Sequence, residues 1–267
     1  MVKSTKNSDF ARSASPPRLW SGQSLSAGTT IDIPESAVRH VAALRLRDGD
    51  AVTLFDGEGG EWSAELQHTG RNRVSARLKE WHRIERESPV TVTLALGISS
   101  GDRMDFAIQK ATELGANVVQ PLATARSVVR LSEERAEKRI AHWRAVAIAA
   151  CEQCGRNRVP IINPVSGLLE YVVSQPPGTK IVLSPDGDVS LRDLPRAQAL
   201  TILIGAEGGL TEEERSDALR NGFIAMRFGP RVLRTETAPL AVLAAIQATW
   251  GDCSEGPEKF GGRSATE

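Results

Sequence analysis

The chain has 267 residues, enough for about two domains, and its 33 Lys and Arg balance its 33 Asp and Glu. A nucleic-acid partner must therefore be argued from where cations are placed, because the total charge supplies no basic signal. The cysteines, Cys151, Cys154 and Cys253, are too few for a disulfide framework, no apolar run nears the roughly 20 residues of a membrane span, and polar Met1–Pro17 lacks the apolar centre of a secretory signal, so a cytoplasmic protein is expected.

Residues 1–17 and 252–267 are rich in Ser, Gly, Lys and Glu and are expected to be disordered tails. Between residues 18 and 86 the pattern is mostly strand-like. Thr29–Ile33 is short and β-prone, and Glu35–Leu44 carries Ala37, Val38, Val41 and Leu44 at helical spacing. Strands are expected at Ala51–Phe55, Trp62–Gln67 and Arg73–Leu78, separated by the turn compositions Asp56–Gly60 and Thr69–Asn72. Short strands with tight turns suggest a small barrel. Charged Trp81–Pro89 reads as a linker.

From residue 90 to 251 strands alternate with helices. Strands are expected at Val90–Ile98, Asn117–Leu122, Val159–Asn163, Lys180–Ser184, Thr201–Ile204 and Ala225–Phe228. One helix carries Met104, Ala107, Ile108, Ala111 and Leu114 inward and stops at Gly115. A longer one from Ser132 to Cys154 turns Ile140, Trp143, Ala147 and Ala150 inward and stops at Gly155. Further helices are expected over Gly167–Ser174, Glu212–Asn221 and Thr237–Trp250. Strands apolar on both faces between helices indicate a parallel sheet covered on both sides.

Three segments could carry chemistry. Thr201–Thr211 is a buried strand, a turn containing Gly205, Gly208 and Gly209, and a helix start with Thr211 and Glu214 spaced as a capping box. Such a turn lets backbone approach a ligand. Glu207, Glu212, Glu213 and Glu214 would repel a phosphate there, and neither the dinucleotide fingerprint nor the P-loop spacing fits. A nucleoside without phosphates suits the turn better. Phe228–Pro239 follows another strand, turns at Gly229-Pro230, and holds Arg231, Arg234 and Glu236 before an apolar helix. Adjacent strand ends of this kind build one crevice. The third segment, Cys151–Arg158, lacks the second ligand pair of a structural zinc site, so no metal is expected. Its polar Glu152, Gln153 and Arg156 are the candidate working residues.

These segments, together with Gly101–Met104, Ile108–Gly115 and, nearer the N-terminus, His40-Val41 and Leu44–Asp50, closely resemble the RsmE family of SPOUT-class methyltransferases. Members methylate N3 of a uracil in 16S ribosomal RNA. The resemblance spans about residues 18–251. It implies a PUA-like RNA-binding barrel followed by a trefoil-knotted α/β domain that binds S-adenosylmethionine and forms a homodimer. Ala206 departs from the family's usual proline in that loop, which would loosen the turn slightly.

Carried over residue by residue, the resemblance implies that Leu203, Ile204, Gly205, Glu207, Gly208, Gly209, Phe228, Gly229, Val232, Leu233, Thr237 and Ala238 hold the cofactor. Uracil N3 must lose a proton to become nucleophilic, and a cation near the uracil oxygens would stabilise the resulting anion. Arg234 is the candidate for that role, and either Glu207 or Glu152 could take the proton. Arg103, Lys110, Gln153 and Arg156 are candidate RNA contacts in the catalytic domain, with Arg39, Arg45 and Arg47 in the barrel domain. The competing readings are a related enzyme acting on another RNA, a non-catalytic RNA-binding dimer, and a nucleotide-dependent oxidoreductase. Intact glycine turns argue against the second and the missing fingerprint against the third.

Overall fold

The computed structural model describes residues 15–70, 73–127 and 132–253. The remaining tail residues named above lie outside that range. The chain divides into two units, one of residues up to Asp56 with Glu61–His82, the other of Gly57–Gly60 with residues from Arg83 onward.

The first unit contains β1 (Arg18–Trp20), β2 (Thr30–Asp32), α1 (Glu35–Leu44), β3 (Ala51–Phe55), β4 (Glu61–Gly70) and β5 (Arg73–His82). They form one sheet in the order β1-β3-β4-β5-β2, antiparallel except where β1 runs parallel to β3. Alternation decides the inner face: Val74, Ala76 and Leu78 of β5 are buried while Arg73 and Arg77 are exposed. Helix α1 lays Ala37 and Val41 on the same core, beside Leu19, Leu54 and Leu66. It ends at Arg45, which adopts the left-handed conformation at φ 57° and donates its amide to Ala42 O. Non-glycine residues rarely occupy that region, and doing so costs about 1–2 kcal/mol.

The second unit contains β6 (Thr91–Gly97), α2 (Gly101–Glu113), β7 (Val118–Ala123), α3 (Glu133–Cys154), β8 (Ile161–Ile162), β9 (Ser166–Gly167), α4 (Leu168–Val173), β10 (Thr179–Leu183), β11 (Ala199–Ile204), α5 (Glu212–Arg220), β12 (Ile224–Met226) and α6 (Thr237–Thr249). The strands run in the order β12-β10-β11-β6-β7-β8, with β9 paired to β7, and every pair is parallel. Consecutive residues of β11 face opposite layers. Ile202 packs with Leu94, Met104, Trp143 and Val242, which belong to β6, α2, α3 and α6. Leu203 packs with Val182, Leu168 and Ala218, on the side of α4 and α5. Burial on both faces explains why these strands read as continuous apolar runs. Because all the strands are parallel, β6, β7, β10, β11 and β12 deliver their following loops to the same edge of the sheet.

Candidate cofactor and substrate site

At that edge the loops after β10, β11 and β12 bound a crevice of about 450 Å³. Leu183, Ile204, Met226, Phe228 and Leu233 give it apolar walls, and the backbone from Gly205 to Leu210 closes one side. Of the residues expected around a cofactor, Ile204, Gly205, Glu207, Gly208, Gly209, Phe228, Gly229, Val232, Leu233 and Ala238 line it, as does Arg234. Two do not. Leu203 is fully buried on the opposite layer of the sheet, as strand alternation next to Ile204 requires, and Thr237 is exposed on α6.

The glycines do different work. A Cβ on Gly205 would lie 2.7 Å from the Gly209 carbonyl carbon and 2.9 Å from the Leu210 nitrogen, so the turn folds on itself there. A Cβ on Gly97, at the end of β6, would collide with the Ala206 nitrogen. The Gly208 position instead faces the Arg126 side chain, whose Cβ would be 3.0 Å away. The turn is closed by the Gly209 amide donating to Ala206 O at 2.8 Å. Thr235 Oγ1 donates to Gly205 O at 3.0 Å, which joins the loop after β12 to the loop after β11. The capping box at α5 is present: Glu214 N donates to Thr211 Oγ1 at 3.2 Å, and Thr211 N to Glu214 Oε2 at 2.8 Å.

Glu207 is the most constrained charged group in the crevice. Its Oε1 accepts from the Ser100 amide and the Ser100 hydroxyl, each at 2.9 Å, with Arg103 Nη1 at 3.3 Å. Burial works against its charge, but the Ser100 bonds and Arg103 outweigh it and hold the carboxyl below its ordinary 4.5. Its Oε2 is buried and has no partner among the described residues. Arg234 has a side chain 80% exposed at the crevice mouth, 4.0 Å from Glu236, so it retains donors for a ligand. Val232, between Arg231 and Arg234, is 82% exposed.

The end of α3 requires a correction. The 22 residues of α3 span about 33 Å, from the loop side of β7 to the opposite edge of the sheet, where β8 begins beside Val118. Glu152, Gln153 and Arg156 therefore sit at the far edge from the crevice, leaving Glu207 as the carboxylate of the two that lies within it. Arg156 is 4% exposed. It donates to Glu87, with Nε at 2.9 Å from Oε1, and to Thr112 O and Ala116 O at 2.9 and 2.7 Å. Burial opposes its charge, but the Glu87 carboxylate more than compensates and raises its pKa further. It fastens Glu87 to the domain and is not available to RNA. Lys110, near the far end of α2, is also committed, to Glu113 at 2.7 Å. Arg103 does reach the crevice, through Glu207.

Sequence reasoning missed Gly97, Ser100, Arg126 and the stretch Leu183–Asp186, all of which bound the crevice or its loop. Ser100 carried one usable signal, its position just before an amphipathic helix. Its hydroxyl does not cap α2 but goes to Glu207.

Comparisons with known proteins identify the family of the chain. A family model described as an RNA methyltransferase domain matches residues 86–247, and one described as an RNA methyltransferase PUA domain matches residues 33–79. The chain is 35% identical over 235 residues to ribosomal RNA small subunit methyltransferase E of Bacillus subtilis, covering 84% of this chain and 92% of that protein. The same enzyme from Neisseria gonorrhoeae, solved bound to S-adenosyl methionine, is 42% identical with a TM-score of 0.83, covering 89% of this chain and 99% of that one. A Legionella pneumophila methyltransferase, solved with the cofactor SAM bound, is 34% identical with a TM-score of 0.87, covering 90% of this chain and 100% of that one. The chain belongs to the RNA methyltransferase family of ribosomal RNA small subunit methyltransferase E, with a SPOUT-type catalytic domain and a PUA-like N-terminal domain.

Proposed function

We propose that the protein transfers a methyl group from S-adenosylmethionine to N3 of a uracil in the 16S RNA of the small ribosomal subunit. The observation that carries this reading is the crevice between the loops after β11 and β12, which combines apolar walls, a charged Glu207 with an open buried oxygen, and a cation at the mouth. It fits S-adenosylmethionine on its own chemistry. Leu183, Ile204, Met226, Phe228 and Leu233 suit an adenine face, and the loop backbone suits its edge. When bound, the cofactor supplies a methyl group on a positively charged sulfur, open to direct displacement.

The residues of the chain then have separable tasks. Arg234 sets a positive charge beside the uracil carbonyl oxygens and stabilises the anion left when N3 loses its proton. Glu207 Oε2 accepts that proton and releases it to water. Its lowered pKa makes it a weak base, so most of the work of acidifying N3–H falls to Arg234. In the N-terminal unit, Arg39, Arg45 and Arg47 are exposed and contact RNA phosphates, Arg39 lying 3.9 Å from Glu35.

The protein acts as a homodimer. Helix α6 buries Val242, Leu243 and Ile246 in its own domain but leaves Ala244 and Ala248 exposed, and Phe106 of the neighbouring α2 is 43% exposed. A helix this apolar on its outer side is covered by a second copy. Incubating unmodified small subunits with the protein and S-adenosylmethionine, then digesting the 16S RNA for mass spectrometry, should yield 3-methyluridine at one site. Finding no methylated uridine would overturn the proposal.

A further inference from the structure

Arg126 lies in the loop after β7, two strands away from β11 in the sheet. Its Nη1 donates to Gly208 O at 2.9 Å and to Leu210 O at 3.2 Å. The neighbouring Ala125 amide donates to Glu214 Oε1 at 2.7 Å, while Glu214 Oε2 takes the Thr211 amide at 2.8 Å. The turn presenting Arg126 is itself closed by Ser127, whose amide donates to Thr124 O at 3.1 Å and whose Oγ lies 2.9 Å from Thr124 Oγ1.

Glu207 anchors the first half of this turn, but Gly208 and Gly209 have no side chains to fix the second half, and its outward carbonyls would otherwise exchange bonds with water. One charged nitrogen holding two of those carbonyls selects a single arrangement of the turn. The same contact explains Gly208: the space a side chain would need is filled by Arg126. We infer that Arg126 is a positioning residue for the cofactor, acting through the Gly208–Leu210 backbone to preform the wall of the crevice. This rests on the crevice being the S-adenosylmethionine site. Arg126 is exposed, so its removal leaves the cores untouched.

The test is calorimetric titration of the full-length protein with S-adenosylmethionine and with its decarboxylated form, for wild type, Arg126→Ala and Arg126→Lys. Loss of two charge-assisted bonds from a preformed loop should weaken both ligands by the same factor, about 10-fold in Arg126→Ala, with partial recovery in Arg126→Lys. The melting temperature without ligand should stay close to wild type. The effect should fall on KM for the cofactor, with kcat at saturation nearly retained. Unchanged affinity would overturn the inference alone. A loss confined to the carboxylated ligand would also overturn it, because Arg126 would then touch the ligand directly. Failure of the wild type to bind either ligand would overturn the proposed function, and this inference with it.

Discussion

Glu207 caps helix α2 from another part of the chain: Ser100, at the start of that helix, gives both its amide and its hydroxyl to Glu207 Oε1, 107 positions away in sequence. A carboxylate at a helix N-terminus meets unsatisfied amides and the positive end of the helix dipole. The crevice loop is thereby tied to the strand-to-helix turn after β6.

That tie predicts a pH dependence. The folded carboxyl titrates below its ordinary 4.5, so its contribution to stability is present above that value and fades as pH falls through the lower folded value. Glu207→Gln should melt at a lower temperature than wild type at about pH 7, and the gap should narrow as pH falls below about 4.5. Melting curves across that range check it. A gap independent of pH would show that the charge is not what holds Ser100.

The two glycines of the turn should differ. Gly205→Ala pushes a methyl group into the backbone at Gly209 and Leu210, so the loop must move, and S-adenosylmethionine affinity should fall by about 10-fold or more. Gly208→Ala meets no backbone but presses on the Arg126 side chain from its Cβ at 3.0 Å outward. That contact needs a shift of only a few tenths of an ångström, so the loss should be smaller than that of Gly205→Ala. Calorimetry on both variants decides, and equal losses would contradict the distinction.

Arg156→Ala should damage stability and spare RNA binding. It leaves Glu87 and two backbone carbonyls without their partner, which typically costs about 3–5 kcal/mol for a broken buried pair. Urea unfolding measures it. Normal stability with weakened RNA binding would restore Arg156 to the RNA-contact role first expected of it.

These residues also show what can be read from sequence. Helix α1 and strand β3 have the bounds expected, Glu35–Leu44 and Ala51–Phe55, because amphipathic spacing and turn residues are local signals. The parallel pairing of Arg18–Trp20 with Thr53–Phe55 was not legible, since three residues carry no period and the partner is far along the chain. Most of the crevice was legible, because glycines at successive strand ends mark it. Arg156 was misread because its burial depends on Glu87, 69 positions away, and a lone loop arginine such as Arg126 has no local signature at all.

In the N-terminal unit, Arg45 offers a separation of charge from fold. Its backbone is left-handed, so Arg45→Gly should relieve strain and keep or raise stability while removing a cation from the surface proposed to meet RNA phosphates. Combined with Arg47→Ala, it should lower the slope of log affinity against log salt by about 0.7–0.9 for each phosphate no longer neutralised. A salt titration with a 16S RNA fragment measures this, and an unchanged slope would remove both residues from the RNA surface.

We propose that Arg234 and the crevice beside it carry methyl transfer to uracil N3. Single-turnover methylation of unmodified small subunits, with cofactor and subunit concentrations saturating for each variant, tests that assignment most directly. Wild type should place one methyl group on N3 of a 16S uracil. Arg234→Ala should still bind both partners while its rate falls by about 10²–10³-fold, the effect of losing one anion-stabilising donor. A near-normal rate for Arg234→Ala under those conditions, or a methyl group found elsewhere than uracil N3, would contradict the assignment.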